Sequence, residues 1–204
     1  MPESTPSPTR SAFLELRDES QLVREGFEFL DEKRVILAQE MLKRLKDWRE
    51  KQERFDALHE EAGGMLIQAL GRHGLDGIGI YPVTPLDDAG FDLKETRFLG
   101  VNLVDGRFEP GGDEKITHPP AVNPSPEAER CRQAFSELLQ MSFDMAVMRA
   151  SLDRLIKEYI RTERRARALE NVVLPEIEES LHFIEEQLEA MDQEEAIRVR
   201  NAGR

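Results

Sequence analysis

From Ser11 to Leu70 the apolar residues recur at steps of three, four and seven: Leu16, Val23, Phe27, Leu30, Leu37, Met41, Leu45, Trp48, Phe55, Leu58 and Met65. That spacing puts them on one narrow stripe of an α-helix. The segment has no proline, and before Gly63 its only glycine is Gly26. The pattern predicts one long N-terminal helix over 11–70. Arg34 interrupts the stripe where an apolar residue is expected. The other faces interleave Glu, Lys and Arg, as a solvated helix face does.

A second stripe runs between Glu127 and Arg198. It passes through Leu138, Met141, Met145, Met148, Leu152, Leu155, Tyr159, Leu169 and Val173, then sharpens into Leu174, Ile177, Leu181, Ile184, Leu188 and Met191. The last series alternates steps of three and four, which is a coiled-coil seam. Pro175 lies inside it and removes one backbone hydrogen bond. The pattern predicts a long C-terminal helix over 127–199, kinked or loosened near Val172.

Between the stripes, residues 71–126 are rich in glycine and proline, including Gly71, Gly74, Gly77, Gly79, Pro82, Pro85, Gly111, Gly112, Pro119, Pro120, Pro124 and Pro126. No long helix is expected there. The extended apolar run Phe98–Val104, followed by Asp105-Gly106 and then Arg107-Phe108, predicts a β-hairpin turning at Asp-Gly. Residues Ile78 to Val83 are a further short-strand candidate. Residues 1–10, rich in Pro, Ser and Thr, and 200–204 are expected to be flexible tails.

Two helices of roughly 60 residues extend about 90 Å each at 1.5 Å per residue. Neither stripe can be buried alone, so the simplest fold brings them back on each other. The expected class is mainly α: a long antiparallel two-helix coiled coil from the N- and C-terminal helices, with a small Gly/Pro-rich middle region holding a short β-hairpin. Residues 11–199 would form one elongated domain. A compact bundle broken by hidden turns is the alternative.

Composition agrees with a thin rod: hydrophobic residues make up 39%, charged residues 34% and aromatic residues only 6%. A rod has much surface and a narrow core. The net charge of -13 argues against nucleic acid or an anionic membrane surface as partner. The single cysteine, Cys131, excludes an intrachain disulfide and reads as an inert helix-start residue. No apolar run reaches the length of a membrane span, and no basic-then-apolar signal opens the chain. A cytoplasmic protein without direct membrane insertion is expected.

The chemistry-bearing residues form no active-site pattern. Gly71-x-x-Gly74-x-x-Gly77-x-Gly79 lacks the Gly-Lys-Ser/Thr ending of a phosphate loop and no strand-then-helix frame surrounds it. His59, His73, His118 and His182 are scattered without metal-ligand spacing. No nucleophile-base-acid set stands out. The methionines at 141, 145 and 148 read as core filler. No cofactor, metal or catalytic residue is expected. Arg161, Arg164, Arg165 and Arg167 make the most basic patch of the chain. It is either a solvated face with intrahelical pairs to Glu158 and Glu163 or a contact for acidic groups, which arginine holds in a bidentate manner.

Pro8-Thr9-Arg10-Ser11 followed by Leu14 and Leu16, and Gly26-Phe27-Glu28-Phe29-Leu30-Asp31-Glu32-Lys33-Arg34, resemble the opening of the D subunit of V-type ATPases and of the archaeal and bacterial A/V-type ATP synthases. The block Thr162-Glu163-Arg164-Arg165-Ala166-Arg167-Ala168-Leu169-Glu170-Asn171-Val172-Val173-Leu174-Pro175 is similar to that family's Thr-x-Arg-Arg-Val-Asn-Ala-Leu-Glu-x-Val-x-Ile-Pro. Ala166-Arg167 stands where Val-Asn is usual, and Leu174 where Ile is usual. The resemblance runs on through Ile177, Ile184 and Leu188, and the middle region matches only in character.

The resemblance implies a central stalk, or rotor axle. Its paired termini would reach into the hexamer of catalytic A and B subunits. Its other end would meet the rotor's F subunit and the membrane-ring adaptor, the C/d subunit. The axle would couple ATP hydrolysis or synthesis to ion translocation without being catalytic itself. Thr9, Arg10, Arg161, Arg164, Arg165 and Arg167 would be its partner-binding residues. Pro175, Ile177, Leu181, Ile184 and Leu188 would set the seam. Arg34 is expected to pair with Glu170 across it and fix the register, with escape into solvent on its long stem as the alternative. A coiled-coil scaffold or tether outside any motor is the competing function.

Overall fold

A computed structural model describes residues 7–81, 89–109 and 125–203. Helix α1 spans Arg10–Gly79; strands β1 (Gly90–Phe98) and β2 (Val101–Glu109) follow. Helix α2 spans Pro126–Ala168, a π-helical turn covers Leu169–Val173, and helix α3 covers Leu174–Ala202. The class is the expected one: mainly helical, with long helices at both ends and one antiparallel hairpin between them. The chain divides into two compact units, one of Met1–Leu37 with Tyr159–Arg204 and one of Ala38–Glu158.

In the first unit, Thr9 starts α1 by accepting the Ala12 amide on its hydroxyl, 3.2 Å away, as N-cap residues do. The inward face of α1 steps through Phe13, Leu16, Ser20, Val23, Phe27 and Leu30 to the fully buried Leu37. The returning chain buries Thr162, Ala166, Ile177 and Ile184. Two ion pairs report the direction: Arg10 with Asp192 at 3.1 Å and Arg24 with Glu178 at 2.7 Å. The step from Arg10 to Arg24 equals the step back from Asp192 to Glu178, so α1 and α3 run antiparallel here. Farther along, Leu169 lies against Gly26, its Cδ1 3.8 Å from where a Cβ would stand.

The π turn explains the doubled apolar pair Val173-Leu174. The stripe from Leu155 to Val173 keeps alternating steps of four and three, and the stripe from Leu174 onward does the same one residue out of phase. A helix turn that takes up one extra residue reconciles the two phases. The Leu174 amide donates to the Leu169 carbonyl, five residues back. Pro175 follows at once and has no N–H for the Asn171 carbonyl, so the backbone loosens where the proline was expected to act.

In the second unit, Ala62, Ala134 and Leu138 form a buried cluster, with Phe55, Leu58 and Met65 packed on it. Lys51 and Asp144 add an ion pair at 3.2 Å. Helix α1 does not stop at Leu70 but continues to Gly79, with one non-helical residue at Gly74 (φ 69°, ψ 173°). A helical glycine costs only about 1 kcal/mol relative to alanine, and beyond Gly71 the helix is tied to the start of α2, Arg72 by Glu127 and His73 Nε2 by Ser125 Oγ at 2.6 Å. Ile78 is therefore helical rather than the start of a strand; residues 82 and 83 of that candidate strand lie outside the described residues, as do residues 1–6 of the N-terminal tail, residues 110–124 of the middle region and His118.

The hairpin forms, but its turn is Leu99-Gly100, not Asp105-Gly106. Both turn residues have positive φ, 47° at Leu99 and 87° at Gly100, the geometry that suits the right-handed twist of a two-residue hairpin. Asp105 and Gly106 sit inside β2, opposite Lys94 and Leu93. Gly106 serves packing instead: a Cβ there would stand 2.7 Å from Leu93 Cδ2 and 3.2 Å from Phe143 Cζ. Phe91, Phe108 and Phe143 cluster beside it, the Phe91 and Phe143 rings stacked at 5.1 Å.

Candidate interaction surfaces

The arginine patch occupies the C-terminal end of α2 in the first unit. Arg161, Arg164, Arg165 and Arg167 are all exposed, while Thr162 and Ala166 between them are buried. The helical period thus turns the guanidinium groups outward. Arg167 is held by Glu163, one turn back, at 2.6 Å. The other three have no ion pair among the described residues. Exposed cations left unpaired in an acidic chain are open to a carboxylate from outside.

The opposite end of this unit carries Thr9 and Arg10. Thr9 is occupied as the helix cap. Arg10 holds both carboxylate oxygens of Asp192, at 3.1 and 3.2 Å. Their side chains are 78% and 60% exposed, so solvent screens the pair and its worth is about 0.2–1 kcal/mol. An open groove beside it is lined by Leu188, Met191, Glu195 and Arg198.

The seam residues are divided. Ile177 and Ile184 are buried, and Leu181 and Leu188 partly so. Pro175 and Glu170 are exposed. Arg34 does not reach Glu170: its guanidinium takes Asp31, three residues back on α1, at 2.5 Å. A partner on the same helix is already positioned and needs less ordering than one on the facing chain.

The contacts that residue order did not disclose lie in the second unit. Ser125 caps α2, its Oγ accepting from the Ala128 amide at 3.3 Å and its carbonyl from the Glu129 amide at 3.0 Å. The same hydroxyl meets His73 Nε2 at 2.6 Å and Glu127 Oε2 at 3.1 Å. Arg72 closes the cluster on Glu127. The Glu127 carboxyl is held below its ordinary pKa, first by its own backbone amide, against a desolvation that raises it, and then by Ser125 and Arg72. This is a helix start, not a nucleophile set, because the acid binds the serine instead of orienting the histidine. A serine before Pro126 and two acids, Glu127 and Glu129, is the pattern that marks it.

Ser151, fully buried in α2, accepts the Val104 amide on its hydroxyl at 2.9 Å and donates to the Val104 carbonyl at 2.8 Å. Arg154, one turn on, holds the Asn102 carbonyl at 2.8 Å and Glu95 at 3.1 Å. No period in the sequence points to a helical serine as the clasp of a hairpin. Among the described residues no group of three His, Cys, Asp or Glu side chains is placed to hold a metal ion, and no helix is long and apolar enough to cross a membrane. Cys131 is buried, which pushes its thiol pKa up.

The chain belongs to the family of ATP synthase D subunits, whose sequence model matches residues 12–203. It is 30% identical over 193 residues to the second V-type ATP synthase D subunit of Treponema pallidum, covering 92% of this chain and 89% of the relative. The V-type ATP synthase D subunit of Thermotoga neapolitana is 23% identical over 194 residues, 95% of each chain. The A-type ATP synthase D subunit of Methanopyrus kandleri is 27% identical over 195 residues, 95% of this chain and 84% of the relative.

Proposed function

We propose that the chain is the non-catalytic central stalk of a V/A-type ATPase or ATP synthase, turning inside the hexamer of A and B subunits and coupling its chemistry to ion translocation. The observation that carries this reading is the constant register of α1 and α3, with Arg10 on Asp192 and Arg24 on Glu178. An axle must resist twist, and a seam of interdigitated side chains supplies that where one helix cannot. A mixed-charge exterior lets it turn against a ring through weak, exchangeable contacts. Arg161, Arg164 and Arg165 would meet carboxylates of the hexamer or of another rotor component. Thr9 and Arg10 belong to the end that enters the hexamer. The F subunit and the ring adaptor C/d complete the partner set, at the cytoplasmic face of the membrane.

Co-expression with the genes for the A, B and F subunits, followed by pull-down and ATPase assay, tests the reading. The chain should assemble with them, its omission should change turnover, and a bead fixed to it should rotate during hydrolysis. A chain that assembles with none of them overturns the proposal.

A further inference from the structure

The hairpin has two edges, and they differ. Ser151 binds both the N–H and the C=O of Val104, so these groups point away from β1. Glu95 is the residue opposite Val104, and in an antiparallel pair both members of a non-hydrogen-bonded couple turn their backbone groups outward. The alternation then sends the amides and carbonyls of Phe91, Leu93, Glu95 and Arg97 to the outer edge of β1. Helix α2 covers the β2 edge through Ser151 and Arg154. The β1 edge has no backbone partner among the described residues.

That edge lacks the geometric protections of most exposed edges, and the charges at Asp92, Lys94, Glu95 and Arg97 are the protection it has. It runs nine residues in unbroken register, without proline or bulge, whereas exposed edges are normally short or bulged. Lys94 is the one lysine on β1, and it is drawn to Asp92 at 3.3 Å. Phe91 and Leu93 are 62% and 55% exposed, although Phe91 already stacks on Phe143. An added strand would extend this apolar floor with its own alternate side chains. Toward the turn, Glu95 is taken by Arg154, and Arg97 has no ion pair among the described residues.

We infer that the outer edge of β1 accepts an extended strand from another protein of the complex, apolar at the alternate positions beside Phe91 and Leu93 and acidic beside Arg97. Main-chain hydrogen bonds give such an addition its affinity and the alternate side chains its specificity. A second copy of this chain fits badly. Antiparallel pairing of two β1 strands about Lys94 sets Phe91 against Arg97 and Leu93 against Glu95, apolar against charged. The inference rests on the chain working as one component of a larger complex.

Amide hydrogen exchange, compared between the isolated full-length chain and the assembled complex, tests it. In the isolated chain the amides of Phe91, Leu93, Glu95 and Arg97 should exchange freely, and those of Asp92, Lys94, Thr96 and Phe98 slowly. Assembly should protect the first four by at least tenfold. Leu93→Pro removes an outward N–H without cutting a rung to β2 and should abolish that protection while the slow set stays slow. Protection gained on the helices with the four amides still free overturns the inference alone. No change anywhere on the chain, with no co-assembly, overturns the stalk reading and this inference with it. Protection that also appears on mixing the isolated chain at high concentration assigns the edge to self-pairing and overturns the choice of partner.

Discussion

Arg24 Nη2 stands 2.7 Å from Glu178 Oε1, joining residues 154 positions apart. The side chains are 60% and 53% exposed, so the contact marks alignment more than it stabilises. Arg24→Ala should cost no more than about 1 kcal/mol in urea unfolding. Arg24→Glu should cost more, and adding Glu178→Arg should recover most of the loss. If the double reversal recovers nothing, the pair is not an alignment contact.

The π turn makes an unusual prediction. Deleting one helical residue normally swings everything after it by about 100° and buries the wrong face. Deleting Val172 should not, because Leu174 would then take the seam place of Val173 and Ile177, Leu181, Ile184 and Leu188 would follow in phase. The thermal midpoint should stay within a few degrees, whereas deleting Glu28, in the regular part of α1, should unfold the first unit. Circular dichroism melts of the two deletions decide it.

Gly106 predicts a packing conflict and its remedy. Gly106→Ala places a methyl against Leu93 and Phe143, and it also meets the Asp92 carbonyl at 3.3 Å. The cost should be about 1–2 kcal/mol, seen as faster exchange at the hairpin. Leu93→Ala removes the nearest atom and should return part of the loss in the double variant. Additive losses would show that Leu93 is not what the glycine makes room for.

The start of α2 should be acid-sensitive. The Glu127 pKa is lowered in the folded chain, so its contribution is complete above the ordinary glutamate value and is lost as pH falls through the lowered one. Glu127→Gln should be less stable than the parent at neutral pH, and the gap should narrow progressively as pH falls below the ordinary glutamate range. Ser125→Ala should cost about 1 kcal/mol through loss of the cap. Chemical melts across pH, with amide exchange at Ala128 and Glu129, measure both.

Periodicity disclosed most of this fold because a heptad stripe constrains a thin helical pair at every turn. It gave α1 and the long C-terminal helical run, and Pro175 gave the loosening before it. Periodicity misplaced the end of α1, where Arg72 and His73 are held by Glu127 and Ser125 despite the glycines at 71, 74, 77 and 79. Turn chemistry misplaced the hairpin turn, because Asp105-Gly106 carries the local turn preference while the glycine is needed beneath Leu93. The outward arginines were legible from charge alone. Asp31 was legible too as an Arg34 partner at helical spacing, but reading the stripe as a register device pointed across to Glu170 instead. Ser151 was invisible because its partners are backbone groups of β2, which leave no trace in residue order, and Arg154 because it takes a β2 carbonyl and the distant Glu95 carboxylate.

Ser151 leaves its position a very small alphabet. It is fully buried and answers both a donor and an acceptor of one residue. Alanine would strand both groups, at roughly 1–3 kcal/mol for each. Valine would add bulk and strand them too. Cysteine bonds only weakly at the same reach, and threonine must find room for a methyl where none is exposed. A clasp that needs one particular hydroxyl is a tight filter on substitution. Any descendant of this chain that keeps its hairpin docked as seen here should also keep a hydroxyl at this turn of α2.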